Sequence, residues 1–285
     1  MDFKIEIRPS KNIWLKGEGE LGDKTVVMGA PRSGKTTFLK LLYSLLTPFE
    51  NEFIEIAKDT ARHILEEDGQ IKLRVGRYEL SCSYSAEDGE LGCVRDGESW
   101  PRHVYLLYEG FELTLKSGLA PPLFQNMVAR MDKFTEGQRT LPEFRYTIFR
   151  RDGRWYEKFE KMRDIPLSNA SNAVALVGYL ERLSQLKDGW ILIDGLLDGL
   201  YPEDALYIAA RLLESKATVV VTTHSPWVKD LFLCGGATME IAGIKVPQPE
   251  VAAYEIRKGE ENEGVFEKIR FSSYGDIYDK LYVKC

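Results

Sequence analysis

The chain has 285 residues, 44% of them hydrophobic and 29% charged, and a formal net charge of −6 at pH 7. Such a composition supports a packed core and excludes global disorder, and the acidic balance argues against a general nucleic-acid binder. No apolar run approaches the ~20 residues that cross a bilayer, and MDFKIEIRPS lacks the apolar segment of a secretory signal. The expectation is a soluble, cytoplasmic protein with no direct membrane insertion.

Residues 24–46, KTVVMGAPRSGKTTFLKLLYSLL, read as strand, glycine-rich turn and helix. After the turn, Phe38, Leu39, Leu41, Leu42, Leu45 and Leu46 recur at helical spacing, and Pro48 stops the helix. From about 50 to 165, β-branched and aromatic runs are broken by turn pairs. This stretch is expected to be an inserted β-rich lobe with some helix. Within it HVYLLYEGFELTL reads as a buried strand and its exit, and FRYTIFRRDGRWYEKFE as a hairpin turning at Asp152-Gly153. Cys82 and Cys93 lie in two strand-like runs around the turn signal EDGE, so a hairpin there would let the sulfurs face each other. Reduced thiols are the expectation in a cytosolic protein. The scarcity of Asn and Gln beside plentiful Lys, Arg and Glu suits a thermophile, which would favour the disulfide. No Cys/His spacing resembles a zinc site.

Residues 166–188 read as a loop and an amphipathic helix with Ser171 or a neighbour as N-cap. WILID follows as a strand, PEDALYIAARLLESK as a helix with Pro202 near its first turn, and ATVVVTTHS as a strand of the parallel kind. The segment VAAYEIRKGEENEGVFEKIRF alternates like a final hairpin. Strands alternating with helices predict an α/β fold: a P-loop core with a mainly parallel sheet, helices on both faces, and the inserted lobe, in a single domain over 1–285.

The stretch GAPRSGKT, residues 29–36, matches G-x-x-x-x-G-K-[ST] and opens a helix after a strand. Backbone N–H groups of Gly29, Ala30, Arg32, Ser33 and Gly34 are placed to curl around phosphate, with Pro31 shaping the loop and Thr37 next to it in the helix. The helix N-terminus adds partial positive charge. Lys35 would reach the terminal phosphates and Thr36 would ligate Mg²⁺, so ATP and Mg²⁺ are the expected ligands. Asp194, ending WILI, would hold the Mg²⁺ opposite Thr36; the plainer reading is a turn cap at a strand end. His224, ending VVVTTHS, would meet the terminal phosphate; the plainer reading is a structural His. The loop LSNAS opens a helix with small and hydroxyl residues, which suits either an anion site or a simple N-cap.

The order of these pieces resembles the ABC-type ATPase heads of the SMC/RecF/OLD-like group, in compact prokaryotic form. GAPRSGKT looks like Walker A, LSNASNAVAL like a degenerate signature helix, ILIDGLLDGLYP like Walker B with a D-loop, and TTHSP like the switch-histidine motif. The resemblance implies a head-to-tail homodimer on ATP binding. In it Ser171 (or Ser168, in the other register) would touch the terminal phosphate of the partner's nucleotide, and Asp198 to Tyr201 would form the dimer seam. It also implies a protein partner, or DNA, as the object of the switch.

The sequence departs from that group in three places. Walker B reads Asp194-Gly195, where the group has Asp-Glu and the Glu polarises the attacking water. Losing one general base typically slows such a step by ~10²–10⁴-fold. A carboxylate from Glu109, Asp198 or Glu203 could stand in. The signature lacks its usual Gly, and the only candidate Q-loop glutamine, Gln125, reads more readily as a surface residue. Two functions follow: a slow ATPase acting as a conformational switch, or a non-hydrolysing ATP-binding regulatory module. A P-loop kinase or GTPase is disfavoured, because no N-K-x-D occurs. The basic stretch RYTIFRRDGR could meet DNA, although a solvated hairpin explains it as well.

Overall fold

The computed structural model describes residues 1–10, 14–85, 87, 89–97, 100, 101, 103–108, 130, 139–141, 146–151, 154–159, 163–166, 172–234, 239–241, 244–246, 250–259 and 263–269. The first half holds β1 (Asp2–Ser10), β2 (Leu15–Glu20), β3 (Lys24–Gly29), α1 (Lys35–Leu46), α2 (Glu50–Ile64), β4 (Leu65–Val75), β5 (Tyr78–Ser85), β6 (Glu90–Asp96) and β7 (Val104–Tyr108). Then come β8 (Arg139–Leu141), β9 (Tyr146–Arg151), β10 (Arg154–Phe159), β11 (Ile165–Pro166), α3 (Asn172–Leu183), β12 (Trp190–Asp194) and α4 (Pro202–Glu214). The chain continues through β13 (Thr218–Thr223), α5 (Pro226–Cys234), β14 (Met239–Ile241), β15 (Ile244–Val246), β16 (Val251–Lys258) and β17 (Gly264–Lys268).

Eleven strands form one sheet in the order β6-β5-β4-β1-β2-β17-β16-β3-β13-β12-β7. Its two halves follow different rules. The run β16-β3-β13-β12-β7 is parallel throughout. Val26 and Val27 in β3, and Val219 to Val221 in β13, are all fully buried, so both faces of these strands are covered. Helix α1 packs on β3, β13, β12 and β7, while α5 packs on β3, β13 and β16 and continues through α4 to α3. The other half, β6-β5-β4-β1-β2, is antiparallel. In β1 the buried Phe3, Ile5 and Ile7 alternate with exposed or half-buried Lys4, Glu6 and Arg8, the pattern of a sheet wet on one face.

The stretch expected as an inserted lobe divides between sheets. Strands β4 to β6 extend the main sheet beyond β1, β7 is its edge beside β12, and β8 to β11 form a separate four-stranded sheet. The mainly parallel character belongs to the half that carries β3, β12 and β13. Strands β9 and β10 pair antiparallel with Arg151 opposite Arg154, while the expected turn residues Asp152 and Gly153 lie outside the described residues. Cys82 and Cys93 sit directly opposite each other in β5 and β6, on one face, and are joined as a disulfide with their Cα atoms 4.1 Å apart. The expectation of reduced thiols is thereby corrected, because the hairpin register brings the two side chains together.

Most of helix α1 is buried: Phe38, Leu39, Leu41, Leu42, Leu45 and Leu46 have no exposed surface. Its C-terminal carbonyls meet Arg95 of β6, which donates to Thr47 O and to Ser44 O, ion-pairs Glu50, and lies over the rings of Phe53 and Trp100. Buried Glu52 accepts from Tyr43 Oη at 2.6 Å and Thr47 Oγ1 at 2.9 Å, and pairs with Arg130. These contacts fix the far end of the helix that begins at the motif 29–36.

Lys24 opens β3 with its side chain buried, and its Nζ donates to Ser215 O and Ala217 O at 2.7 and 2.6 Å, between α4 and β13. Burial lowers its pKa to about 8, against a smaller opposing pull from Asp23. Between about 8 and the ordinary lysine value the unfolded chain holds this proton and the folded chain does not, so stability rises with pH across that window. Denaturant titrations at pH 8, 9 and 10 are expected to show this rise in the wild type. Lys24→Met should flatten the slope and also lower stability, since two buried carbonyls lose their donor.

Candidate active site

In the parallel half the carboxyl ends of β3, β13, β12 and β7 reach one level: Val27 and Asp194 both stand opposite Thr222, and Tyr108 stands opposite Asp194. Ligands of open α/β sheets bind at this edge. The motif 29–36 leaves β3 here. Ser33 N–H donates to Ala30 O, Arg32 has φ 66°, and Gly34 enters α1 with φ 98°. No side chain caps the helix, so its first N–H groups have no partner from within the helix. Gly29 lets the turn close: a Cβ there would lie 2.5 Å from Ser33 Oγ and 3.1 Å from Ile256 O.

Lys35 is buried, and its Nζ donates to Gly29 O at 2.7 Å and Ala30 O at 2.9 Å. Burial lowers its pKa, while the charges of Asp194 and Asp198 oppose that shift, which places the lysine within the field of both carboxylates. Ser33 Oγ is buried without a hydrogen-bond partner. An uncapped helix end, an orphaned hydroxyl and a buried cation together fit a phosphate chain. Thr36 is exposed in the first turn of α1 and Thr37 is buried.

Beside the loop a cavity of about 220 Å³ is lined by Trp14, Pro31, Arg32, Ile256, Arg257 and Gly264, among others. Trp14 Nε1 is buried without a partner. Trp14, Arg257 and Gly264 were not among the residues expected from the sequence. The signal that would have found Trp14 is a lone large aromatic among polar residues in KNIWLKGEGE.

Asp194 ends β12 and its Oδ1 accepts from Thr222 Oγ1 at 2.5 Å. Gly195 then turns the chain with φ 67° into a 3-10 turn, Leu196–Gly199. A Cβ on Gly195 would meet no atom within 4 Å, so the site has room for a side chain that the backbone disfavours. Asp198 lies in that turn. One carboxylate oxygen accepts from Thr223 Oγ1, and the other takes His224 N–H at 3.1 Å and lies 3.1 Å from His224 Nδ1. The Asp198 side chain is 9% exposed and that of His224 56%.

The structure therefore brings the loop residues, Lys35, Asp194, Asp198 and His224 to one edge. Ser168, Ser171, Glu109 and Gln125 lie outside the described residues, as do the side chain of Glu203 and residues 270–285. Among the described residues no group of three or more His, Cys, Asp or Glu could hold a metal. A magnesium ion here would be held by Thr36 and Asp194 with phosphate and water, as that ion commonly is.

The fold is similar to that of SMC head domains. An SMC head bound to the C-terminal winged-helix domain of ScpA matches with a TM-score of 0.55 at 10% identity, over 93% of this chain and 97% of that one. The SMC head domain from Thermotoga maritima matches at 0.48 and 12%, over 94% and 98%. A dimeric ATP-binding cassette, MJ0796, with ADP and phosphate matches at 0.39 and 14%, over 95% and 100%. No family model and no curated protein matches the sequence.

Left-handed backbone costs a residue with a Cβ roughly 1–2 kcal/mol, and Asn less. Gly195→Glu is expected to lose about that much in chemical denaturation, with Gly195→Asn closer to wild type. Equal stability of all three would show that the turn does not hold its left-handed form.

Proposed function

We propose that this protein is an ATPase head that binds ATP with Mg²⁺ at residues 29–37, hydrolyses it slowly in the cytoplasm, and acts as a conformational switch. The observation that carries this reading is the uncapped N-terminus of α1, with Lys35 folded back onto Gly29 O and Ala30 O within the field of Asp194 and Asp198. The triphosphate would lie along the loop N–H groups, with Ser33 and Lys35 as donors. The base would occupy the cavity against Trp14, whose aromatic face suits a purine. Thr36 and Asp194 would hold the Mg²⁺, which screens phosphate charge and orients the terminal phosphoryl group.

Slow hydrolysis is inferred from Gly195, which leaves the water without the carboxylate that usually follows a strand-end Asp. Of the substitutes, Asp198 already spends both oxygens on Thr223 and His224. Glu109 follows Tyr108, which stands opposite Asp194, and remains a candidate. Two heads would close head to tail around ATP, with Ser168 or Ser171 reaching the partner's phosphate. The winged-helix domain bound to the similar SMC head supports a protein partner here too. Among the described residues no helix is long and apolar enough to cross a membrane.

Phosphate release and molecular mass should be followed together in ATP and Mg²⁺. The wild type is expected to release phosphate slowly and shift toward dimer, and Lys35→Ala to do neither. Dimerisation without any phosphate release would favour the non-hydrolysing module. Equal behaviour of Lys35→Ala and wild type would contradict the site.

A further inference from the structure

Asp198 and His224 are 26 residues apart in sequence and meet because the 3-10 turn after β12 lies against the end of β13. The meeting has a chemical consequence. A carboxylate only accepts hydrogen bonds, so the imidazole nitrogen 3.1 Å from Asp198 Oδ2 must carry the proton. With Nδ1–H committed, the neutral ring has its lone pair on Nε2. Nε2 has no partner among the described residues, and more than half of the His224 side chain is exposed. The ring cannot drift freely. Asp198 also takes the His224 backbone N–H and the Thr223 hydroxyl, so the strand end and the ring are held by one group. The pair stands on the phosphate side of the sheet: Thr223 is opposite Met28, one residue before Gly29, and Asp198 acts on the charge of Lys35.

We propose that Asp198 fixes His224 as its Nδ1–H tautomer and that His224 Nε2 takes the proton of the attacking water, in place of the carboxylate missing at Gly195. The inference rests on the hydrolysis reading above. Water oxygen bonds to the terminal phosphorus as the bond from that phosphorus to the bridging oxygen breaks. The products are ADP and phosphate. The water proton passes to Nε2, the imidazolium is stabilised by Asp198, and the proton then leaves to solvent. Asp198 is a positioning residue in this scheme, because it touches the ring and not the water.

The test joins a tautomer measurement to turnover. ¹⁵N spectra of the full chain contain three histidines, His63, His103 and His224, and His224→Asn identifies the signal of interest. Wild type is expected to show Nδ1 protonated and Nε2 bare near neutral pH. Asp198→Asn keeps an acceptor oxygen but can offer an N–H to the ring, and should move the proton to Nε2. ATP affinity should stay within about threefold in Asp198→Asn, while turnover in Asp198→Asn and His224→Asn falls by about 10²-fold or more, as removal of a general base does. The proposal is overturned by an Nε2–H ring in wild type, by a tautomer unmoved in Asp198→Asn, or by full turnover in His224→Asn. It is equally overturned if Glu109→Gln abolishes turnover that His224→Asn retains. Absence of hydrolysis by wild type would remove the base role together with the hydrolysis reading, whereas the spectrum tests the Asp198–His224 pair by itself.

Discussion

The peptide groups at the two ends of a helix lack partners within the helix, and that constraint organises this molecule around α1. Its apolar residues are fully covered, and its two ends are treated differently. At the C-terminal end the carbonyls are met by Arg95, and Glu52 ties Tyr43, Thr47 and Arg130 together. The guanidinium of Arg95 is the kind of charge that complements a helix C-terminus. At the N-terminal end no side chain caps the helix. Ser33 of the loop and Lys35 of the first turn stand there instead. One end is satisfied by the fold, and the other would suit an anion.

The edge at the carboxyl ends of the parallel strands follows from the same arrangement. Parallel strands deliver Asp194 and Thr222 to a common level beside the loop, and the connection after β12 must turn sharply before Pro202 starts α4. Gly195 makes that turn in a left-handed conformation. The residue type that would ordinarily supply a water-activating carboxylate is thus one that this backbone disfavours. The same turn carries Asp198 to the end of β13, where its carboxylate organises Thr223 and His224. The loss at one position and the contact at another are two outcomes of a single local geometry.

Much of this was legible in the sequence because its signals are local. GAPRSGKT, the helical spacing after it, WILID and VVVTTHS each announce an element within a dozen residues, and all four form where expected. The antiparallel arm was not legible. Strands β4 to β6 carry the same β-branched runs whether they belong to a separate lobe or to the main sheet, and what decides is the pairing of β4 with β1, some sixty residues away in sequence. The disulfide depended on register: one residue of slip would have turned Cys82 and Cys93 to opposite faces. Asp198 was readable as a polar turn residue, but its contact with His224 joins segments on two different strands. Trp14 escaped notice because a single aromatic carries no periodicity.

The central claim is that the uncapped start of α1 receives the phosphates of ATP, and hydrogen exchange at that helix end tests it most directly. The amides of Lys35 to Thr37 have no acceptor within the helix, whereas Phe38 already donates to Gly34 O. Saturating ATP with Mg²⁺ is predicted to slow exchange in the segment 33–37 well beyond any change in β1 or β4. Unchanged exchange in that segment at saturating nucleotide, or protection confined to other parts of the chain, would contradict the account.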